Sequence, residues 1–265
     1  MRLCDLGHLT RATVQRSHPE LMRALHAGEI VRAARGVYVC AHLDELAQLA
    51  ARTRTRIDCV SALERNGVWA GQGPRGTHLR ARPRHHAHAP ATLHWAAARP
   101  TDGLEVHPED ALLQAMRCLP PVDALAALES AVHTGYLARI RLDVVLAAAP
   151  QYLLPTLSLF DGGGQSGLET HVRCGLIAAG HRVITQVRVP GVSPLDLLVD
   201  DVVGIETDGR QHHAESFLRD RTKDLVLEGY GIRVLRIGAR HVFDEWPDTL
   251  ATVQRMVRET RRRPY

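Results

Sequence analysis

The sequence has no long apolar run, few aromatic residues (4%) and a single lysine among its 33 basic residues. Without an apolar run of bilayer length no membrane-spanning helix is predicted, and the first residues, MRLCDLGHLT, lack the apolar core of a signal peptide. The five cysteines lie far apart with no C-x-x-C pair, so neither a zinc ribbon nor a disulfide framework is indicated. We therefore expect a cytoplasmic protein with reduced thiols and no membrane partner.

What is present is typical of a globular protein. Hydrophobic residues make up 45% and charged residues 23% of the chain, and 265 residues are enough for two domains. The net charge of +4 and the pI near 9.0 are compatible with a polyanionic partner but do not establish one. Because arginine is the usual basic residue of this chain, Lys223 stands out as the cation that needs a reason.

The most informative stretch covers residues 194–224, PLDLLVDDVVGIETDGRQHHAESFLRDRTKD. Two short apolar runs around Asp200-Asp201 predict a β-hairpin, and acids stand inside its strands. With a three-residue turn at 200–202, Asp196 and Glu206 lie directly opposite each other, with Cβ atoms about 5 Å apart. A two-residue turn places them on opposite faces unless a bulge corrects the register. Glu206 and Asp208 share a face in either register.

Three carboxylates at one edge repel each other unless a proton, a basic group or a divalent cation neutralises them. An all-oxygen cluster favours Mg²⁺ (or Mn²⁺) over zinc. The structural alternative is that Asp196 caps a strand end and that Asp208-Gly209 is only a turn. Lys223 likewise has two interpretations, since it either belongs to the site or forms a surface ion pair with Asp220.

The ordered motifs of this region resemble the small PD-(D/E)XK nuclease domains of the group that contains the very-short-patch repair endonucleases and the DUF559 proteins. The resemblance covers residues 166–245. It rests on a helical acid, a strand with x-D-h-h, the E-x-D-G-x-x-H run, a helix with D-x-x-[RK]-D and a final strand, here Glu169, Leu195-Asp196-Leu197-Leu198, 206–212, 220–224 and 230–237. One departure is that Asp208 stands where the name-giving lysine of the superfamily is expected.

The resemblance implies a magnesium-dependent endonuclease. Asp196, Glu206, the carbonyl of Thr207 and Glu169 are the expected metal ligands, although Ser166 and Glu169 also fit a purely structural capping box. Asp208 or His212 would orient or deprotonate a water, and Lys223 would stabilise charge on the phosphorane.

The N-terminal region reads as two helices followed by a small β-hairpin. A helix is predicted from Leu9 to Gln15, a second from Ser17 with Leu21, Met22 and Leu25 as its buried stripe, and strands at 30–33 and 36–39. The run GEIVRAARGVYV resembles the wing of AbiEi-type antitoxin domains, which implies DNA binding; a protein-interaction role is the alternative. The candidate DNA contacts are Arg16, Arg23, His26, Arg32 and Arg35.

The middle of the chain is less informative. Helices are predicted around a loop, 67–90, whose basic residues Arg80, Arg82, Arg84, His85, His86 and His88 suggest either phosphate contacts or a solvated surface. A zinc site from these histidines is disfavoured because a fourth ligand is not evident. The glycine run in 155–167 predicts a hinge or loop at a domain boundary.

These observations predict an α/β protein with three regions. Residues 1–58 form a winged helix-turn-helix, 59–159 a mainly helical middle region, and 160–265 a restriction-endonuclease-like domain with a mixed sheet. The expected function is a metal-dependent DNA endonuclease in repair or defence, with RNA left open as a substrate. The alternative is a non-catalytic, antitoxin-like DNA-binding regulator with a degenerate nuclease domain; the oligomeric state is not predicted.

Overall fold

The fold is mixed α/β and divides into two compact units. The computed structural model describes residues 8–9, 18–73, 76–83, 89–101, 103–207 and 216–262. The first unit comprises Met1–Pro120 and Thr134–Gln151, and the second comprises Pro121–His133 and Tyr152–Tyr265. In the part of the chain that is described, no helix has the length and apolar character needed to cross a membrane.

The first unit begins with a small antiparallel sheet and one helix: β1 (His8–Leu9), α1 (His18–His26), β2 (Ile30–Ala34) and β3 (Val37–Cys40), with strand order β1-β3-β2. Leu21 and Ala24 of α1 pack on Ile30. Two predictions are wrong here, since Leu9 lies in a strand and Met22 is exposed. Residues 10–17, which carry most of the first predicted helix, lie outside the described residues.

A second sheet and several helices complete this unit. The elements are α2 (Glu45–Thr53), β4 (Arg56–Ile57), α3 (Cys59–Arg65), β5 (His78–Ala81), β6 (Thr92–Trp95), α4 (Pro108–Cys118) and α6 (Leu142–Ala148). Helix α5 (Pro121–His133) lies between α4 and α6 in the sequence but belongs to the second unit. β5 pairs antiparallel with β4 and parallel with β6. Arg80 is buried in a two-bond ion pair with Asp58, so its interpretation as a surface phosphate contact is wrong.

The second unit is built on a four-stranded mixed sheet. Its elements after α5 are α7 (Leu154–Leu157), α8 (Gly167–Ala178), β7 (Val183–Val187), β8 (Leu195–Val199), β9 (Val203–Thr207), α9 (Ser216–Gly229), β10 (Arg233–Ile237), α10 (Ala239–Phe243) and α11 (Trp246–Arg262). The strand order is β10-β9-β8-β7, with β10 parallel to β9 and the other pairs antiparallel. Side chains of α8 and α11 share one buried cluster with alternate residues of β8 and β9, whereas Leu227 of α9 belongs to a second cluster with Leu198.

The glycine run between α7 and α8 is a packed loop rather than a hinge. Glu129 of α5 forms a buried ion pair with Arg173 of α8, 2.5 Å between Oε1 and Nη2, and accepts the Asp161 amide at 2.7 Å. A Cβ on Gly164 would lie 2.7 Å from Glu129 Oε2. Gly164 therefore makes room for the close approach of a buried carboxylate, which composition does not reveal.

The described cysteines differ in oxidation state. Cys59, Cys118 and Cys174 are free, whereas Cys40 is disulfide-bonded. The expectation of reduced thiols throughout is wrong at Cys40.

Candidate functional site

The β8–β9 hairpin has the register that brings its two acids together. Val199 pairs with Val203, Leu198 with Gly204 and Leu197 with Ile205, so the turn has the predicted three residues, 200–202. Continuing this register by one residue sets Asp196 opposite Glu206. Asp200 and Asp201 take φ values of 51° and 66°, the left-handed conformation that aspartate tolerates better than most residues and that a tight turn needs.

Asp196 is held by the neighbouring strand. Its Oδ2 accepts hydrogen bonds from the backbone N–H of Thr207, at 2.8 Å, and from the Thr207 hydroxyl, at 3.0 Å. The strand-end cap considered from the sequence therefore exists, and it leaves Asp196 close enough to Glu169 and Glu206 to act on both electrostatically. These contacts orient the carboxylate and are compatible with a second role.

Glu169 reaches the same region from the first turn of α8. Its backbone N–H donates to the hydroxyl of the N-cap Ser166 at 3.2 Å, as the capping pattern predicts. Its Oε2 accepts from the N–H of Gln165 at 3.2 Å and from Nε2 of Gln186 at 3.3 Å. Burial, and then the nearby Asp196 carboxylate, raise the pKa of Glu169.

Lys223 lies beside these acids and not on the surface. The side chain is buried, with Nζ 2.5 Å from Glu206 Oε1 and 2.6 Å from the Pro194 carbonyl oxygen that it donates to. Leu227, one turn later on α9, is fully buried, so both residues belong to the face of α9 that packs inward. The interpretation of Lys223 as a surface partner of Asp220 is therefore wrong.

Glu206 has an unusual electrostatic environment. Burial raises its pKa, the Lys223 ammonium in the ion pair opposes that rise, and the Asp196 carboxylate adds to it. Arg236 is a second nearby cation that lowers the pKa of Glu206. Its guanidinium donates two hydrogen bonds to Asp224, at 3.0 and 2.9 Å. Among the described residues, the three carboxylates of Glu169, Asp196 and Glu206 therefore face two nearby cations, Lys223 and Arg236.

Sequence reasoning missed Gln186, which lies in β7 next to the acids. Its φ is 50°, in the left-handed region, and the β7–β8 ladder runs from Thr185↔Leu197 to Val187↔Leu195 without a pair at Gln186. The position facing this interruption is Asp196. A strained non-glycine residue that donates to Glu169 is the kind of feature that concentrates at functional sites. The sequence alone does not indicate that this glutamine has a positive φ or that it donates to Glu169.

The other predicted site residues fall in two groups. Asp208, His212 and Arg16 lie outside the described residues. Arg23 of α1, Arg32 of β2 and Arg35 of the β2–β3 turn are exposed in the first unit. The Arg35 carbonyl accepts a hydrogen bond from Arg54 Nη2 at 2.6 Å, which fixes the turn and leaves the Arg35 side chain in solvent.

The acids around Lys223 suit a hard divalent cation. Their donor atoms are all carboxylate oxygens, the ligands that Mg²⁺ and Mn²⁺ prefer, and their excess negative charge is what such an ion offsets. Glu169, Asp196 and Glu206 are the described residues that would hold it. Thr207 presents its amide and hydroxyl hydrogens to Asp196, so those atoms act as donors to a ligand residue.

The first unit contains a second cluster, of different chemistry, that the sequence did not indicate. One ligand atom each from Cys59, His78, His94 and Cys118 lies within 4.8 Å of every other. Among the described residues no other group of three or more His, Cys, Asp or Glu side chains, the three carboxylates of the second unit included, brings its ligand atoms together in this way. Hydrogen bonds, first from Cys59 and then from the two imidazoles, lower the pKa of the Cys118 thiol. Separations of about 16 to 24 residues along the chain hide the group from a motif search.

Comparison with known proteins gives no family. No protein-family model matches the chain, and no curated protein matches it. Among solved structures, the RV2827C protein from Mycobacterium tuberculosis is similar, with 17% sequence identity over 68% of this chain and 79% of that chain, and a TM-score of 0.30. A TM-score this low carries no argument about fold or function.

Proposed function

We propose that the second unit is a metal-dependent endodeoxyribonuclease whose site is formed by Glu169, Asp196, Glu206 and Lys223. The observation that carries the proposal is geometric: the hairpin register sets Asp196 opposite Glu206, and Nζ of Lys223, the only lysine of the chain, lies 2.5 Å from Glu206 Oε1. The Asp196 carboxylate raises the pKa values of both Glu169 and Glu206, and an arrangement of this kind is often found at functional sites. The nuclease resemblance of residues 166–245 points to the same residues independently.

Each residue has a definable task in phosphodiester hydrolysis. Glu169, Asp196 and Glu206 would hold Mg²⁺ or Mn²⁺, and a bound ion of this kind polarises a phosphoryl oxygen and lowers the pKa of a coordinated water. Thr207 keeps the Asp196 carboxylate in one orientation, and Gln186 does the same for Glu169. Asp208 and His212 stay the predicted groups that orient or deprotonate the attacking water.

Lys223 supplies the cation that the Asp208 departure removes from its usual position. Its ammonium approaches Glu206 from α9, a different element from the strand that carries the superfamily lysine. The four-carbon stem of lysine allows a compact charge to reach this place, whereas a planar guanidinium needs more room. In the proposed reaction the ammonium stabilises negative charge on the phosphorane.

DNA is the proposed substrate because of the first unit. Its helix and three-stranded sheet, α1 with β1-β3-β2, are compatible with the winged-helix resemblance of residues 28–39. Exposed Arg23, Arg32 and Arg35 are suitable phosphate contacts, which hold a duplex in place without reading its sequence. RNA stays an alternative substrate.

A second candidate is a DNA-binding regulator whose nuclease-like unit no longer cleaves. The observation in its favour is that the acids already have protein partners, Thr207 for Asp196 and Lys223 for Glu206. In that case the same contacts are purely structural and the unit needs no metal.

Incubation with supercoiled plasmid separates the two candidates. The nuclease predicts nicked or linear product with Mg²⁺ or Mn²⁺, none with EDTA, and little with Ca²⁺, whose larger and looser coordination suits this chemistry poorly. Single-stranded DNA and structured RNA in parallel reactions identify the substrate class. A folded protein that retards DNA in a gel but cleaves none of these substrates in either metal would contradict the nuclease and favour the regulator.

A further inference from the structure

Four potential metal ligands come together in the first unit from four separate elements. Cys59 begins α3, His78 begins β5, His94 lies in β6 and Cys118 ends α4. His78 Nδ1 lies 3.0 Å from His94 Nε2, and Cys118 Sγ lies 3.9 Å from the same His94 nitrogen. A tetrahedral zinc ion, with Zn–S near 2.3 Å and Zn–N near 2.0 Å, sets its ligand atoms about 3.3 to 3.8 Å apart. The observed separations are close to that geometry.

The side chains converge more than ordinary packing requires. A hydrogen bond between His78 and His94 would account for that pair, but it does not explain why two thiols from α3 and α4 meet the same nitrogens. Cys59 is fully buried and adopts a φ of 55°, a conformation that is costly for a residue with a side chain. Gln114 Nε2 lies 3.8 Å from the sulfur of Cys118, as a donor behind that ligand.

The surroundings explain what a metal would contribute. The core cluster that joins α2, α3, α4 and the β4-β5-β6 sheet is poor in large side chains, since its buried members are Ala47, Ala50, Ile57, Ala62, Leu79, Val106 and Ala111. Alanine buries little apolar surface, and β4 has only two residues. Leu63 of α3 and Leu112 and Met116 of α4 are fully buried in the same unit, and a metal cross-link between α3, α4, β5 and β6 would add to that packing.

We propose that Cys59 Sγ, His78 Nδ1, His94 Nε2 and Cys118 Sγ bind one structural Zn²⁺ ion. Two thiolates and two imidazoles are the soft and borderline ligands that zinc selects, and Mg²⁺ has no affinity for such a set. Four protein ligands fill the tetrahedron and leave no position for water or substrate, so the ion holds the fold together and takes no part in hydrolysis. The site is separate in chemistry and in residues from the carboxylate site of the second unit.

Metal content gives the first test. Untagged full-length protein, purified with a thiol reductant and without added chelator, should carry about one zinc per chain by elemental analysis. Cys118→Ala removes a surface ligand with little effect on packing and should lower zinc to near zero, as should His94→Ala. Cys174→Ala, which removes a thiol from the second unit, and His42→Ala, which removes an exposed imidazole from the first, are the matched controls and should keep full zinc.

Spectroscopy and stability give the second test. Co²⁺ added to the chelator-treated protein should produce the visible bands of a tetrahedral site and a thiolate charge-transfer band, and Cys118→Ala should lose both. Zinc should raise the Tm of chelator-treated wild type and of Cys174→Ala but not that of Cys118→Ala. Zinc content unaffected by Cys118→Ala, a Tm indifferent to zinc, or a Cys59–Cys118 disulfide found by mass spectrometry under reducing purification would each overturn the proposal.

Discussion

The two clusters of polar residues are opposites in how the chain builds them. The carboxylate site of the second unit draws Asp196 and Glu206 from one hairpin and Lys223 from the next helix, so most of it is local in sequence. The Cys/His cluster of the first unit draws each ligand from a different element. The first produces a recognisable motif, and the second has no motif at all.

The difference fits the two proposed roles. A catalytic site needs acids at defined spacing on rigid strands, with a face open to substrate, and strand alternation sets that spacing directly. A structural metal site stabilises most when it joins segments that are distant along the chain, because closing long loops removes more conformational freedom from the unfolded state. Chemistry separates them too, since oxygen ligands suit magnesium while sulfur and nitrogen ligands suit zinc.

The largest expected effect is the loss of cleavage in Asp196→Asn. Asparagine still accepts both hydrogen bonds from Thr207 through its carbonyl oxygen, so the hairpin survives while the ligand charge is lost. Substitution of a residue that only orients a metal ligand lowers metal affinity or activity by about 10 to 100-fold. Loss of the ligand itself should therefore lower the plasmid cleavage rate by more than about 100-fold. Asp201→Asn, an isosteric change in the adjacent turn, is the control. Equal cleavage by both variants, or zinc loss in Asp196→Asn, would remove the distinction between the clusters.

Lys223→Met should lower cleavage by about 100-fold, the cost of removing one donor that stabilises transition-state charge. The buried Glu206 then lacks its cation, so folding is checked by circular dichroism and by the double variant Lys223→Met/Glu206→Gln, which removes the unpaired charge. Arg233→Met, which deletes a cation paired with Glu259 in the same unit, serves as the control. Full cleavage by a folded Lys223→Met would make the lysine a structural neighbour of Glu206 only.

Gln186→Gly is expected to separate function from stability. Glycine adopts positive φ without steric strain, so the free energy of unfolding should be unchanged or rise by about 0 to 1 kcal/mol. The Tm should accordingly equal that of wild type or exceed it. Cleavage should fall about tenfold because Glu169 loses the donor that orients it. A thermal melt and a single-turnover plasmid assay on the same preparation check both parts. A lower Tm with unchanged cleavage would show that the strained residue is structural.

The smallest expected effect concerns DNA contacts of the first unit. Arg32→Ala should lower the slope of log affinity against log salt concentration by about 1, the contribution of one phosphate contact, with little change in cleavage once DNA is saturating. Arg117→Ala removes an exposed arginine that bonds the Leu113 carbonyl of its own helix, and should leave the slope unchanged. Fluorescence anisotropy over a salt series measures both slopes. Identical slopes for Arg32→Ala and wild type would contradict a phosphate contact at Arg32.

Much of the second unit was predictable because its signals are local. The β-rich runs on either side of Asp200-Asp201 predicted the hairpin, and its register is confirmed. Ser166 and Glu169 predicted the start of α8, and the helix cap is present. Lys223 stood out by composition alone, although burial beside Glu206 required α9 to pack its inner face on the sheet.

What failed depended on contacts between distant segments. The glycine run was predicted to be a hinge or a loop, and composition could not choose between them because it does not show the Glu129 carboxylate that packs against Gly164. Arg80 was assigned to a basic surface loop, as a phosphate contact or a solvated residue, because its buried partner Asp58 lies 22 residues earlier. Met22 was assigned to a buried stripe that the small sheet of β1, β2 and β3 does not cover.

The sequence by itself determined the hairpin acids, the cap of α8 and the identity of the one lysine, since strand alternation and helix capping act over a few residues. Only the tertiary structure decided that Lys223 pairs with Glu206 and that Gln186 donates a hydrogen bond to Glu169. It also decided that one ligand atom each from Cys59, His78, His94 and Cys118 lies within 4.8 Å of the others. The physical reason is that local spacing is set by backbone geometry, whereas the meeting of four remote side chains is set by how whole elements bury their apolar faces.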